Sequence, residues 1–166
     1  MGGGREMTVI RYVKIFLVLA VGYWGLVGTV GNLSHLSEVY NEVQSVTSMS
    51  GVPEGVGPPW RTSNAVVVSI GVAAVLFGKI AAVIGGYGGI SMWRNVNATA
   101  SDFNRSKKWA IAGCALAFGL VMFSFTFAAE GTFFMFYDPS KQVAGELAFR
   151  FAGSFALVAI VVAQED

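Results

Sequence analysis

Ionisable side chains are scarce in this chain. Asp, Glu, Lys and Arg make up 13% of its 166 residues, about half the roughly 25% of an ordinary soluble domain. The 11 basic and 10 acidic residues nearly cancel, which excludes a basic nucleic-acid binder. A single cysteine, Cys114, leaves no internal disulfide and no multi-thiolate metal site. A single histidine, His35, excludes a bis-His haem and a histidine cluster for zinc or iron. It also has no convincing nucleophile near it in sequence. No phosphate-cradling glycine pattern follows a strand. Catalysis and metal binding are thus without sequence support.

Apolar residues, by contrast, reach 54% and the mean hydropathy is +0.61. A soluble chain this short cannot hide so much apolar surface, so lipid is the implied solvent. A spanning helix needs about 20 apolar residues, and four stretches qualify: 13–33, 65–92, 109–136 and 143–163. None alternates with the period of two that a barrel strand needs. The expected fold is therefore an all-α membrane protein, a single domain over 1–166 built as a four-transmembrane-helix bundle. A long outer loop (34–64) and a short inner loop (93–108) join the spans.

Basic residues near span ends set orientation. Arg5, Arg11, Lys14, Arg94, Arg105, Lys107 and Lys108 lie on one side, against Arg61 and Lys141 on the other. Seven against two places the first group, and both termini, in the cytoplasm of a bacterial inner membrane, and the 34–64 loop in the periplasm. Trp60, Trp93 and Trp109 stand at span ends, as interfacial anchors do. The first span is too long, and too poor in a small-x-small site, for a cleaved signal peptide. Glu6 at position six excludes a myristoylation signal.

In the outer loop, Leu36, Val39, Tyr40, Val43 and Val46 recur at helical spacing, with His35, Glu38, Glu42 and Gln44 on other faces. That pattern predicts a short amphipathic helix lying on the bundle or the membrane. Gly51, Pro53, Gly55, Gly57, Pro58 and Pro59 then forbid regular structure.

Charges inside a span are costly and mark candidate sites. Lys79 has 14 span residues before it and 13 after, which puts it near mid-membrane by counting. It either pairs with an acidic group of another subunit, titrates, or snorkels toward the cytoplasmic headgroups along its stem. Glu130, Glu146 and Arg150 fall at similar depth on two antiparallel spans joined at Asp138-Pro139-Ser140. They read as a charge-balanced cluster holding that hairpin, or as an ion or proton site. Glu146 stands four residues before Arg150, the favourable order for an intrahelical pair.

Small residues form the second pattern: Gly22, Gly25, Gly28 and Gly31; Ala74, Gly78, Ala82 and Gly86; Ala144, Ala148, Ala152 and Ala156. Such spacing lets helix backbones approach closely. Arg150 lies about 200° from Ala148 around the helix at 100° per residue, so the fourth span has two distinct contact faces. The third span is rich in phenylalanine, from Phe118 to Phe136, scattered around the helix.

Several segments resemble a bacterial family of predicted small integral membrane proteins of unknown function. They are Arg11-Tyr12-Val13-Lys14, Gly31-Asn32-Leu33, Val43-Gln44-Ser45-Val46 with Met49, Phe103-Asn104 with Lys107, the 130–136 region and Ala148-Phe149-Arg150-Phe151. The resemblance implies four spanning helices with cytoplasmic termini, and no established activity. Two departures stand out. The family pattern carries an acidic residue where Lys79 stands, and it places Glu four residues before Met, whereas Glu130 is five before Met135.

Taken together, these features predict a non-catalytic accessory subunit of a larger bacterial inner-membrane complex, of the respiratory or photosynthetic kind. Its partners would be other membrane-protein subunits and lipid, with no nucleic acid and no required cofactor or metal. A self-associating pore or small-solute carrier is the alternative. A bundle binding a lipid, quinone or pigment along the Phe-rich span is the third reading.

Overall fold

The computed structural model describes residues 3–166, with side chains from Thr8 onward. Helix α1 (Gly3–Ser34) breaks at His35 and resumes as α2 (Leu36–Thr47), the amphipathic helix expected in the outer loop. Helix α3 (Ala65–Arg94) follows, then a short α4 (Ala100–Ser106), α5 (Lys108–Val121) and α6 (Pro139–Ala163). Among the described residues, four helical segments are long and apolar enough to cross a membrane. The protein is an all-α, multi-pass membrane bundle.

Local chemistry sets the helix starts. Asn64 accepts a hydrogen bond from the Val66 amide at the head of α3, Thr99 accepts from Asp102 at the head of α4, and Asp138 accepts from Ser140 with Pro139 in the first turn of α6. Each satisfies an amide that the helix itself leaves free. Helix α4 lies in the inner loop, where the one signal for it is the Thr99-x-x-Asp102 capping pair.

The third span departs from expectation. Its α-helix stops at Val121 and continues as a π-helix, Met122–Thr132, not as α-helix to 136. Along it Ser124 donates to the Leu120 carbonyl at 2.6 Å and Thr132 to that of Phe127 at 3.0 Å. Phe134 then takes a left-handed φ of 54°, which ends the span before a 3₁₀ turn, Met135–Tyr137.

The long helices pack in chain order, α1 on α3, α3 on α5, α5 on α6, and α6 closes on α1 along a thinner seam. Trp24 makes that closure, with ring centroids 5.0 Å from Phe151 and 4.9 Å from Phe155. A Cβ on Gly22 would overlap the Gly86 backbone, and one on Gly25 would strike Ala82 and the backbone at Lys79. Gly78 faces Leu120 and Val121, while Ala148 and Ala152 are buried in the core, Ala74 and Ala156 half-buried, Ala144 exposed and Gly31 in open space. The α3–α5 crossing uses Gly85, Gly88 and Gly113 against Ala110 and Cys114, outside the four-residue stripe.

Two ends result. The capped end carries α2, the 48–64 loop and the α5–α6 connection. There Trp60 donates to the Thr132 carbonyl at 3.0 Å and Lys141 pairs with Glu42. The space left between loop and connection is about 10 Å³, no more than one water would occupy. The basic end carries the start of α1, α4 and residues 164–166.

Candidate functional site

Polar side chains gather at three places within or beside the bundle. The first is the basic end, where Arg11, Lys14 and Lys107 are all buried. The Lys14 ammonium donates to the Gln164 carbonyl at 2.7 Å and to Asp166 Oδ1 at 3.0 Å. The Lys107 ammonium donates to the same carbonyl at 2.8 Å and to Asn104 Oδ1 at 2.6 Å, and lies 2.7 Å from Asp166 Oδ2. Arg11 Nη1 donates to the Val96 and Ala98 carbonyls, both at 2.8 Å, and its guanidinium stacks 4.6 Å from the Phe103 ring centroid.

The residues that hold this cluster come from α1 and from the inner ends of the other spanning segments. Arg11 and Lys14 stand on α1, Val96 and Ala98 follow α3, Lys107 immediately precedes α5, and Gln164 and Asp166 follow α6. Helix C-termini expose carbonyls and a negative dipole end, so cations are the natural groups to seat there. Burial alone would raise the Asp166 carboxyl, but hydrogen bonds from Lys107 and Lys14 outweigh it and hold it below the ordinary carboxylate range. The arrangement is a lock: one carboxylate shared by two ammoniums, tying α1 and the head of α5 to the end of α6.

Counting basic residues assigned Arg11, Lys14 and Lys107 to topology and missed this lock. The readable signal was register. Arg11 and Lys14 share the three–four stripe of Ile15, Val18 and Gly22, the face of α1 that is buried.

The second place surrounds Lys79. Its ammonium donates to Asn32 Oδ1 at 2.8 Å and to the Gly28 carbonyl at 3.3 Å, and lies 6.0 Å from the Trp24 ring centroid. The amine therefore has partners within its own chain, and Asn32, notable in the sequence only within the Gly31-Asn32-Leu33 resemblance, is the side chain that supplies one. The outer turns of α3 rise past the end of α1 to pack on α2, with Gly71 against Val43. The Lys79 backbone thus lies level with Gly25, and its ammonium reaches the level of Gly28, about 9 Å below Ser34 at roughly 1.5 Å per residue. Its stem runs toward the capped end, opposite to the snorkelling direction expected from counting.

The third place is the α5–α6 hairpin. Arg150 Nη2 donates to Glu146 Oε2 at 3.2 Å, and these side chains are 71% and 66% exposed. They point away from the bundle. Glu130 does not join them: it lies in the π-helix with its carboxylate against Gly145 of α6. The expected three-charge cluster is therefore a pair and a separate half-buried carboxylate. The fourth span turns Ala148 and Ala152 inward and Arg150 outward, so the two faces are distinct in space. Among the described residues no three His, Cys, Asp or Glu side chains gather as a metal site would require.

Comparison with known proteins agrees with the fold. A family model described as predicted small integral membrane protein (DUF2165) matches residues 10–165, and the chain belongs to that family. Neither a curated protein nor a solved structure matches it.

Proposed function

We propose that this chain is a non-catalytic packing subunit of a larger bacterial inner-membrane complex, with its basic end in the cytoplasm. One observation carries the reading: the Glu146–Arg150 pair faces outward within a spanning helix. Ionised groups turned toward hydrocarbon are costly and, inside membranes, ordinarily face protein or water. A neighbouring protein helix over this face removes that cost. The exposed apolar residues around the pair, Phe149, Leu157 and Ile160, supply the packing surface such a neighbour needs.

Orientation follows from the basic residues. Arg94, Arg105 and Lys108 are exposed at the basic end, where the positive-inside rule puts the cytoplasm. The reading is tested by extracting the chain, tagged and at its natural level, from bacterial membranes in mild detergent. Migration with a complex much larger than 17.6 kDa is expected, with respiratory and photosynthetic assemblies the first partners to examine. Recovery only as free monomer or homo-oligomer overturns the proposal.

A further inference from the structure

We propose that the outward face of α6 docks against α6 of a second copy of this chain, so that the protein enters its assembly as a twofold pair. This rests on the reading above only in taking the face to be covered by protein; the pair then meets the rest of the complex through other exposed apolar surface, such as Phe16, Tyr23 and Val30 of α1. The face is a stripe around one side of the helix: Glu146, Arg150, Gly153, Leu157 and Ile160, all exposed.

The charge arrangement selects the occupant. Arg150 makes one contact, from Nη2 to one oxygen of Glu146, although a guanidinium carries five donors and a carboxylate about four acceptor positions. Most of the hydrogen-bonding capacity of both groups is unspent and points outward. A foreign helix must bring one acidic and one basic group at matching heights to use it. A second copy brings both automatically. Copies inserted with the same topology are related by an axis along the membrane normal, so their α6 helices run parallel.

Depth and reach then agree. Arg150 lies one helical turn, about 6 Å, deeper than Glu146, and helical side chains lean back toward the N-terminus. The guanidinium therefore sits at the height of its own Glu146, and by symmetry at the height of the partner's Glu146. Each Arg can bridge its own and the opposite carboxylate, closing a ring of four alternating charges. One turn further in, a Cβ on Gly153 would meet nothing within 4 Å, and Ser154 spends its hydroxyl on the Arg150 carbonyl at 2.9 Å. That leaves a small, internally satisfied patch where two helix backbones can cross closely. Such isologous contacts are the commonest mode of self-association.

The test uses the full chain in its native membrane. Cys114 is buried, so Gly153→Cys introduces the accessible thiol, and oxidation is expected to give a disulfide-linked dimer. Two differently tagged chains, one carrying Glu146→Arg and the other Arg150→Glu, provide the charge test. Each alone places like charges across the axis and should lose at least tenfold in pairing. Expressed together they should co-purify at wild-type yield, which pairing confined within each chain does not produce. Gly153→Leu, which adds bulk only in open space, should abolish the dimer in a chain that still folds. Absence of cross-linking while the chain runs in a larger complex overturns the second copy and leaves the packing-subunit reading standing. A cross-linked dimer with no larger complex does the reverse. A monomer in every membrane, its pair solvated by lipid headgroups, overturns both.

Discussion

Replacing Asp166 by Asn keeps the shape of the side chain and removes the one carboxylate that two buried ammoniums share. Lys14 and Asp166 are 3% and 2% exposed, and Lys107 and Asp166 each 2%. Water therefore cannot take over the lost partner cheaply. Removing one member of a buried ion pair costs about 3–5 kcal/mol, because the remaining charge is left uncompensated. Here the lysines keep the Gln164 carbonyl and Asn104 as acceptors, so the lower half of that range, about 3 kcal/mol, is the expectation. That is a large share of the roughly 5–15 kcal/mol that holds a domain folded. Denaturant titration of the purified chain in mild-detergent micelles reads the loss. A double-mutant cycle with Lys14→Met separates the pair from packing, with an expected coupling above about 1 kcal/mol.

The same contact sets a pH dependence. The folded carboxyl is held below its ordinary value, near 3.9 when unfolded. Its contribution is therefore complete above that value and is lost as pH falls through the lower folded value. At neutral pH, Asp166→Asn should be less stable than the parent. The difference should shrink as pH drops below about 4. A variant within about 0.5 kcal/mol of the parent at pH 7, the scale of an ordinary surface substitution, would refute the lock.

Other substitutions probe the remaining contacts by the same titration. Gly22→Leu should drive α1 off the Gly86 backbone and cost about 3 kcal/mol or more by overpacking, whereas Gly31→Leu, which meets nothing, should be neutral. Asn32→Leu strips Lys79 of its only side-chain acceptor among the described residues and should cost about 1–3 kcal/mol. Adding Lys79→Met should recover most of that loss, and failure to recover it would place the Lys79 partner elsewhere. Trp60→Phe removes the bond to the Thr132 carbonyl and should loosen the capped end by about 1 kcal/mol, visible as faster amide exchange near 132 and 60.

Where a helix forms was readable because hydrocarbon leaves backbone groups no partner but each other. An apolar run of the right length must be helical, and four runs imply four spans. The amphipathic period of α2 was equally legible. The π-helix was not, because a change from α to π hydrogen bonding over Met122–Thr132 leaves the hydrophobic count unchanged. Lys79 was seen as exceptional, but its level depended on how far α3 overshoots α1. That offset is set by Gly22 meeting Gly86.

The class of the protein is written in its residues alone: its solvent, its number of spans and the scarcity of charge within them. Those properties are sums over composition and local periodicity, and no fold is needed to add them. Which charges matter emerges when the helices pack. Arg11, Lys14 and Lys107 look like ordinary flanking residues until α1, the head of α5 and the end of α6 meet around Asp166. Glu130 and Arg150 look like partners until the hairpin turns one inward and the other out. An ion pair depends on distances of a few ångström between segments remote in sequence, and helix register and rotation, which packing alone sets, fix those distances.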